Sequence, residues 1–291
     1  MAEAVDAVGV TPLYPQPGDT RPLRGLYLDH DLRAAAVGGT LIYANFIASL
    51  DGRVALPNGR GVFGVPEAIA NPRDWWLFQE LAIQADAVLV SGRYLRARAR
   101  GEVQDLFAAF HEPRYRELRA WRAARDLPAW PRVVAMSRDV DFDLPGEVEP
   151  STLLVLTGAA GASAPAARRL CTAGAEVVAV GDGDGVDPRR LRGVLERAGC
   201  RLVYAVGGPR ALHTLVSGGA LDRLYLSQAP QLLGGDRLAT LIEGTVLEQP
   251  PALRLHSLYY DQTTQGAGAG QLFTCYAAAG TQGIDYGDAS A

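Results

Sequence analysis

Residues 201–215, RLVYAVGGPRALHTL, commit the chain to one kind of architecture. An apolar, β-branched run from Leu202 to Val206 meets Gly207-Gly208-Pro209, and apolar Ala211, Leu212, Leu215 and Val216 follow at helical spacing. The order is strand, tight glycine turn, helix, the repeating unit of an α/β fold. In such folds this junction lies at the carboxyl end of a strand, where backbone N–H groups and a helix N-terminus face outward without partners. A phosphate or pyrophosphate fits there. Two glycines suit that use because a side chain at either would hold the ligand off the backbone or bar a positive φ. The plain alternative is a turn that joins strand to helix and binds nothing.

A chain of 291 residues, 48% hydrophobic and 21% charged, describes a globular protein with a sizeable core, and one α/β domain of this size is ordinary. All 28 basic residues are Arg, which excludes Schiff-base catalysis by lysine. The net charge of -4, with Arg scattered among acids except over 93–100, offers no field for nucleic acid, so none is expected as a partner. Cys171, Cys200 and Cys275 form no CxxC or Cys/His cluster, so reduced thiols and no metal are expected. The opening MAEAVDAVGV has neither a basic segment nor a long apolar core. No signal peptide or membrane span is expected, and the cytoplasm is the expected location.

Residues 1–39 carry several Pro and Gly and read as an N-terminal arm, with a short helix near 29–36. The domain proper is expected over 40–279, with 280–291 a tail. TLIYANFIASLDGRVAL, 40–56, is a β-rich run that ends in Ser49-Leu50-Asp51-Gly52. Asp51-Gly52 reads either as a hairpin turn or as a strand end that presents Asp51, beside small Ala48 and Ser49, to a flat ligand. A glycine-rich loop, PNGRGVFG at 57–64, comes next. A helix then starts with Asn71 as N-cap, Pro72 in its first position and Asp74 complementing its dipole.

The strand in 85–90 runs into Ser91-Gly92-Arg93, where amides and a guanidinium suit phosphate, unless Arg93 belongs to a solvated face. Residues 98–131 are polar and helical in pattern and read as a lid or an edge insertion. The strand 132–136 ends at Ser137-Arg138, a hydroxyl and a fork of donors that suit an adenosine 2′-phosphate. Strand 151–158, helix 164–173, strand 175–181 and a helix from Asp187-Pro188 to Ala198 follow. Beyond the glycine junction come strand 221–230, Gly234-Gly235-Asp236 and a closing antiparallel pair, 253–260 with 271–278. The whole predicts one three-layer α/β domain on a mostly parallel mixed sheet with antiparallel C-terminal strands.

SLDG (49–52), ADAVLVSG (85–92), MSR (136–138), VGGP (206–209) and ALDRLYLSQAPQLLGG (220–235) occur in one order. That order resembles the C-terminal reductase domain of the RibD family and, more distantly, dihydrofolate reductase, over about 40–278. LYP at 13–15 resembles free-standing pyrimidine-reductase-like members. The resemblance implies a dihydrofolate-reductase-like fold, NADPH as cofactor, a homodimer and a small-molecule substrate. In 5-amino-6-(5-phosphoribosylamino)uracil reductase of riboflavin biosynthesis, hydride passes to the ribosyl carbon of a ribosylaminopyrimidine phosphate. By position, the resemblance sets Ala48 against the nicotinamide and Ser137 near the 2′-phosphate. It wraps Gly207, Gly208, Pro209 and Arg210 about the diphosphate and turns Asp51, with Gly61 and Phe63, to the substrate cleft. Such catalysis is mostly alignment plus cofactor chemistry, so no acid–base pair is assigned.

The chain departs from that family mainly on the substrate side. Val206 stands where Glu often precedes the glycine pair, Ala82 where an Arg is usual, and Gly61 where a pocket Ser is usual. Tyr94 and Arg98 replace a Thr and an Asp after the second strand. The expected function is therefore an NADPH-dependent reductase whose substrate differs from the family's usual one. One alternative is reduction of dihydrofolate, for which Asp74 is the available helix carboxylate although its place suits capping better. Another is a non-catalytic nucleotide-binding member.

Overall fold

The computed structural model describes residues 5, 8–36, 38–57, 62–236, 238–263, 266–267 and 269–279. Its strands are β1 (Val10–Tyr14), β2 (Leu41–Ser49), β3 (Arg53–Pro57), β4 (Phe63–Gly64), β5 (Ala87–Ser91), β6 (Arg132–Met136) and β7 (Leu153–Gly158). They continue with β8 (Glu176–Gly181), β9 (Leu202–Ala205), β10 (Arg223–Ala229), β11 (Ala239–Thr240), β12 (Leu253–Asp261) and β13 (Leu272–Ala278). The longer helices are α1 (Pro72–Gln84), α2 (Gly92–Ala99), α3 (Arg116–Ala123), α4 (Pro165–Thr172), α5 (Leu191–Arg197) and α6 (Pro209–Ser217).

The main sheet has ten strands in the order β1-β12-β13-β10-β2-β9-β5-β6-β7-β8. From β10 to β8 all neighbours are parallel, and β13, β12 and β1 add an antiparallel flank. A small antiparallel sheet, β11-β3-β4, lies apart. The fold is thus the mostly parallel mixed sheet with an antiparallel C-terminal pair that the sequence leads one to expect.

β2 lies inside the sheet and is buried on both faces, as interior parallel strands are. Its Tyr43 joins a core with Leu77, Phe78 and Leu81 of α1, Leu118 of α3 and Leu170 of α4. Its Ile42 and Ala44 join a second core with Leu191 and Leu195 of α5 and Leu212 and Leu215 of α6. Helices on both faces complete three layers. α1 starts as its sequence requires: Asn71 Oδ1 accepts the N–H of Asp74 at 2.9 Å, and Pro72 takes the first position, where no N–H is needed.

The segment read as an arm is integrated into this body. β1 pairs with β12, Val10 opposite Asp261, and Leu23, Leu26 and Tyr27 are fully buried in the first core. Glu80 of α1 holds that segment, its carboxylate accepting the N–H of Gly25 (2.6 Å), of Tyr27 (2.9 Å) and of the Trp76 indole (2.7 Å).

Residues 98–131 are neither lid nor edge insertion. Phe107, Phe110, Tyr115 and Leu118 are buried against α1, and Arg122, 2% exposed, donates to the carbonyls of Ile83 and Ala85 at 2.7 Å each and to that of Pro128. The polar pattern belongs to the outer side of this layer, and its one inward Arg serves as a clasp on the end of α1.

Candidate functional site

Parallel strands share a polarity, so all their carboxyl ends open on one edge of the sheet. In the order β10-β2-β9-β5-β6 this edge brings together the loop at Gly234-Gly235, Ser49-Leu50-Asp51, Gly207-Gly208, Ser91-Gly92-Arg93 and Ser137-Arg138. The neighbours touch. A Cβ on Gly92 would lie 2.3 Å from Ser137 Oγ, and one on Gly207 would lie 3.4 Å from the carbonyl carbon of Val90 and 3.5 Å from Ser91 N.

The two glycines of the junction are needed for different reasons. Gly208 has φ 85° and ψ -175°, which a side chain resists, and it precedes the first turn of α6. Gly207 is required by packing, because a Cβ there would come within 2.7 Å of Ala211 Cβ. Arg210, in the first turn of α6, has a side chain 76% exposed and reaches Glu243 only at 4.0 Å. Arg93 and Arg138 are exposed, and among the described residues neither guanidinium has a hydrogen-bond or ion-pair partner. Ser91 Oγ accepts the N–H of Tyr94 at 3.2 Å and so caps α2. Ser137 Oγ donates to the Asp139 carbonyl.

Other expected site residues carry structural duties. Asp51 Oδ2 accepts the N–H of Gly234 at 2.8 Å, and its Oδ1 accepts Ser49 Oγ–H at 2.5 Å and Leu233 N–H at 3.2 Å. The Ser49 bond and these amides hold its carboxyl down at about 2, so it is ionised and clasps the loop after β10. At Asp51-Gly52 the chain turns tightly, with Gly52 N–H donating to Ser49 O, and β3 then leaves for the small sheet instead of pairing back as a hairpin in the main one. The Ala48 methyl is buried in a small cluster with Val54 and Ala239. Phe63 lies exposed on β4, and Gly61 is outside the described residues.

Two departures from the family pattern have local work. The Tyr94 hydroxyl accepts the N–H of Leu106 at 3.1 Å, and Arg98 pairs with Asp105 at 3.3 Å and Glu147 at 2.7 Å. Both fasten the loop that follows α2. Ala82 is fully buried, and Val206 packs half-buried on the same core.

Asp74 is not a satisfied cap. Asn71 does the capping, while Asp74 is 7% exposed and its Oδ1 has no hydrogen-bond partner. Burial pushes its carboxyl up to about 6, against the pull of the Ser227 hydroxyl, which lowers it. Tyr204 and Ser227, which lie close to it, and Asn45, buried with an unpartnered amide on β2, escape a reading by pattern. The available signal is a polar residue inside an apolar run, as in LIYANFIAS and RLYLSQA. Among the described residues no group of three or more His, Cys, Asp or Glu is set to hold a metal, and no helix is long and apolar enough to cross a membrane.

The family model for the RibD C-terminal domain matches residues 40–265. A pyrimidine reductase-like protein from Corynebacterium diphtheriae has a similar structure at 18% identity and a TM-score of 0.63, covering 84% of this chain and 94% of that one. Acinetobacter baumannii RibD follows at 17% identity and a TM-score of 0.56, with 85% of this chain covered. The match spans 60% of that RibD chain. No curated protein matches the sequence.

Proposed function

This chain belongs to the RibD C-terminal domain family, and from that premise we propose that it is an NADPH-dependent oxidoreductase acting on a small molecule. The observation that carries the reading is the row of strand ends on one edge. There a glycine junction opens backbone toward solvent on the same edge as Arg93 and Arg138, whose guanidiniums have no partner among the described residues. A dinucleotide needs this combination. Gly207 and Gly208 let a diphosphate approach the first turn of α6, with the exposed Arg210, held only by a 4.0 Å contact to Glu243, placed to cover it. Arg138, beside Ser137, and Arg93, next to Gly92, supply forked donors for a 2′-phosphate. NADPH, when bound, supplies the hydride. The protein's part is to hold the two reactants in line.

Titration with NADPH, followed by quenching of tryptophan fluorescence, is expected to saturate in the micromolar range. The absence of saturable binding at high micromolar cofactor overturns the proposal. Gly208→Val, which forces a β-branched side chain onto φ 85°, is expected to weaken binding roughly ten- to a hundredfold.

Arg138 gives a second expected result, on cofactor choice. Loss of a charge-assisted contact costs about 1.5–3 kcal/mol, so Arg138→Ala should weaken NADPH binding about ten- to a hundredfold and leave NADH untouched. Parallel titrations with the two cofactors read the difference, and equal losses for both count against a 2′-phosphate at this position. A homodimer and a cytoplasmic location belong to the same proposal. Light scattering on the purified protein reads the first, and fractionation of cells the second.

A further inference from the structure

Arg223, the first residue of β10, is a buried charge that the cofactor reading leaves unused. It is 5% exposed, its Nη1 has no hydrogen-bond partner, and among the described residues no carboxylate pairs with it. A guanidinium keeps its proton at any working pH, and burial of such a charge without a counter-charge is strongly disfavoured. The other buried guanidiniums are answered: Arg73 meets the Asp261 carboxylate at 2.7 Å, and Arg122 meets its three carbonyls.

Strand register gathers the surroundings of Arg223. Tyr225 on β10 stands opposite Cys275 on β13, which stands opposite Ser257 on β12. Arg223 is two residues before Tyr225, so its side chain leaves the same face of the sheet. β12 bulges between Leu255 and Ser257, with His256 in the bulge. His30 closes the group, its Nδ1 on the Tyr225 hydroxyl at 2.9 Å and its Nε2 on the Tyr259 hydroxyl at 3.0 Å. Ser257 is 4% exposed, and its Oγ also lacks a partner.

The titratable groups beside the guanidinium supply no negative charge. Burial pushes the Cys275 thiol up to about 11 and the Tyr225 hydroxyl well above its usual range, although Arg223 draws both down. Burial holds the His256 ring at about 4 and the His30 ring at about 3, and Arg223 adds to the fall in each. The cluster is thus one fixed positive charge among neutral groups. Its two unpartnered atoms, Nη1 and the Ser257 hydroxyl, can both donate.

We propose that Arg223 and Ser257 hold a small monovalent anion, a halide or the carboxylate of a small molecule, at the amino end of β10. Two donors beside one guanidinium call for an acceptor of single charge, since a dianion would leave a surplus charge buried. Ala277, directly across from Arg223, and His256 are half-buried, so the site borders the surface. It lies away from the cofactor edge, because β10 runs seven residues, roughly 20 Å, from Arg223 to Ala229 at that edge. The inference therefore stands whether or not NADPH binds.

Thermal melts of the full chain at constant ionic strength test it, with sodium methanesulfonate, whose anion is bulkier, replaced stepwise by sodium chloride or sodium formate. The wild-type melting temperature is expected to rise by about 3 °C or more at about 200 mM of at least one of the two, and to saturate. A response to chloride alone supports a halide site, and one to formate alone supports a carboxylate site. Arg223→Met keeps the length without the charge and should lose the response. Ser257→Ala should keep the fold and need at least threefold more anion for half the response. No anion-dependent rise in wild type, or an equal rise in R223M, overturns the proposal. If R223M does not fold, S257A decides: a half-response concentration unchanged from wild type overturns the site, and a threefold increase upholds it.

Discussion

Arg122→Ala should destabilise the fold by about 3–5 kcal/mol, a large part of the roughly 5–15 kcal/mol that holds a domain together. The guanidinium is buried to 2% exposure and is bonded to the Ile83 and Ala85 carbonyls, which end α1, and to the Pro128 carbonyl. Helix-end carbonyls lack partners of their own. In water they would be hydrated, but here their donor is itself buried, with the Phe110 ring 5.5 Å from the guanidinium. Removal of the side chain leaves several buried acceptors empty, at about 1–3 kcal/mol each. Burial lowers the guanidinium to about 10, so it stays charged at neutral pH and the clasp does not titrate there. Arg122→Lys, a point charge without the fork, should recover only part of the loss. Chemical denaturation reads the effect as a lower midpoint at unchanged slope, and a shift under 1 kcal/mol would mean that α1 does not depend on this contact.

Asp74→Asn should act in the opposite sense and only at the upper end of the pH range. Burial raises this carboxyl from 3.8 to about 6. The folded protein therefore binds its proton more tightly than the unfolded chain does. Its contribution to stability is full below pH 4, declines as pH rises through about 6, and is gone above. A raised carboxyl reverses the usual acid-denaturation sign. Asparagine keeps the shape and removes the charge, so the variant should match wild type near pH 4 and exceed it by roughly 3 kcal/mol at pH 8. Urea melts at several pH values check this, and an Asn variant that is less stable at pH 8 refutes it.

The sequence discloses the parts that depend on near neighbours. Asn71 with Pro72, Asp187 with Pro188 and Gly207 with Gly208 each mark an element end, because caps and turns are settled within a few residues. Strand order does not have this locality. That the edge joins Ser137 to Gly92 and Asp51 to Gly234 depends on pairings 45 and 183 residues apart, which no window of pattern contains. The misreading of 98–131 has the same source. RELRAWRAAR looks solvated, and only the approach of the α1 end turns Arg122 inward. Asp74 looks like a cap residue from its neighbours alone, and its isolation is visible only when β9 and β10 close beneath it.

The pairing of β1 with β12 sets an order of events for a chain made from its amino end. Val10 meets Asp261, and central β2 meets β9 and β10, whose residues follow about 160–180 positions later. A ribosome would thus release the first strand long before its partner exists, and Leu23, Leu26 and Tyr27 would wait uncovered. Sheets joined over such distances fold slowly, since the chain must be confined before any contact rewards it. Assembly of this domain therefore waits until β12 has been made, and the segments that precede β9 are the portion with most need of a chaperone.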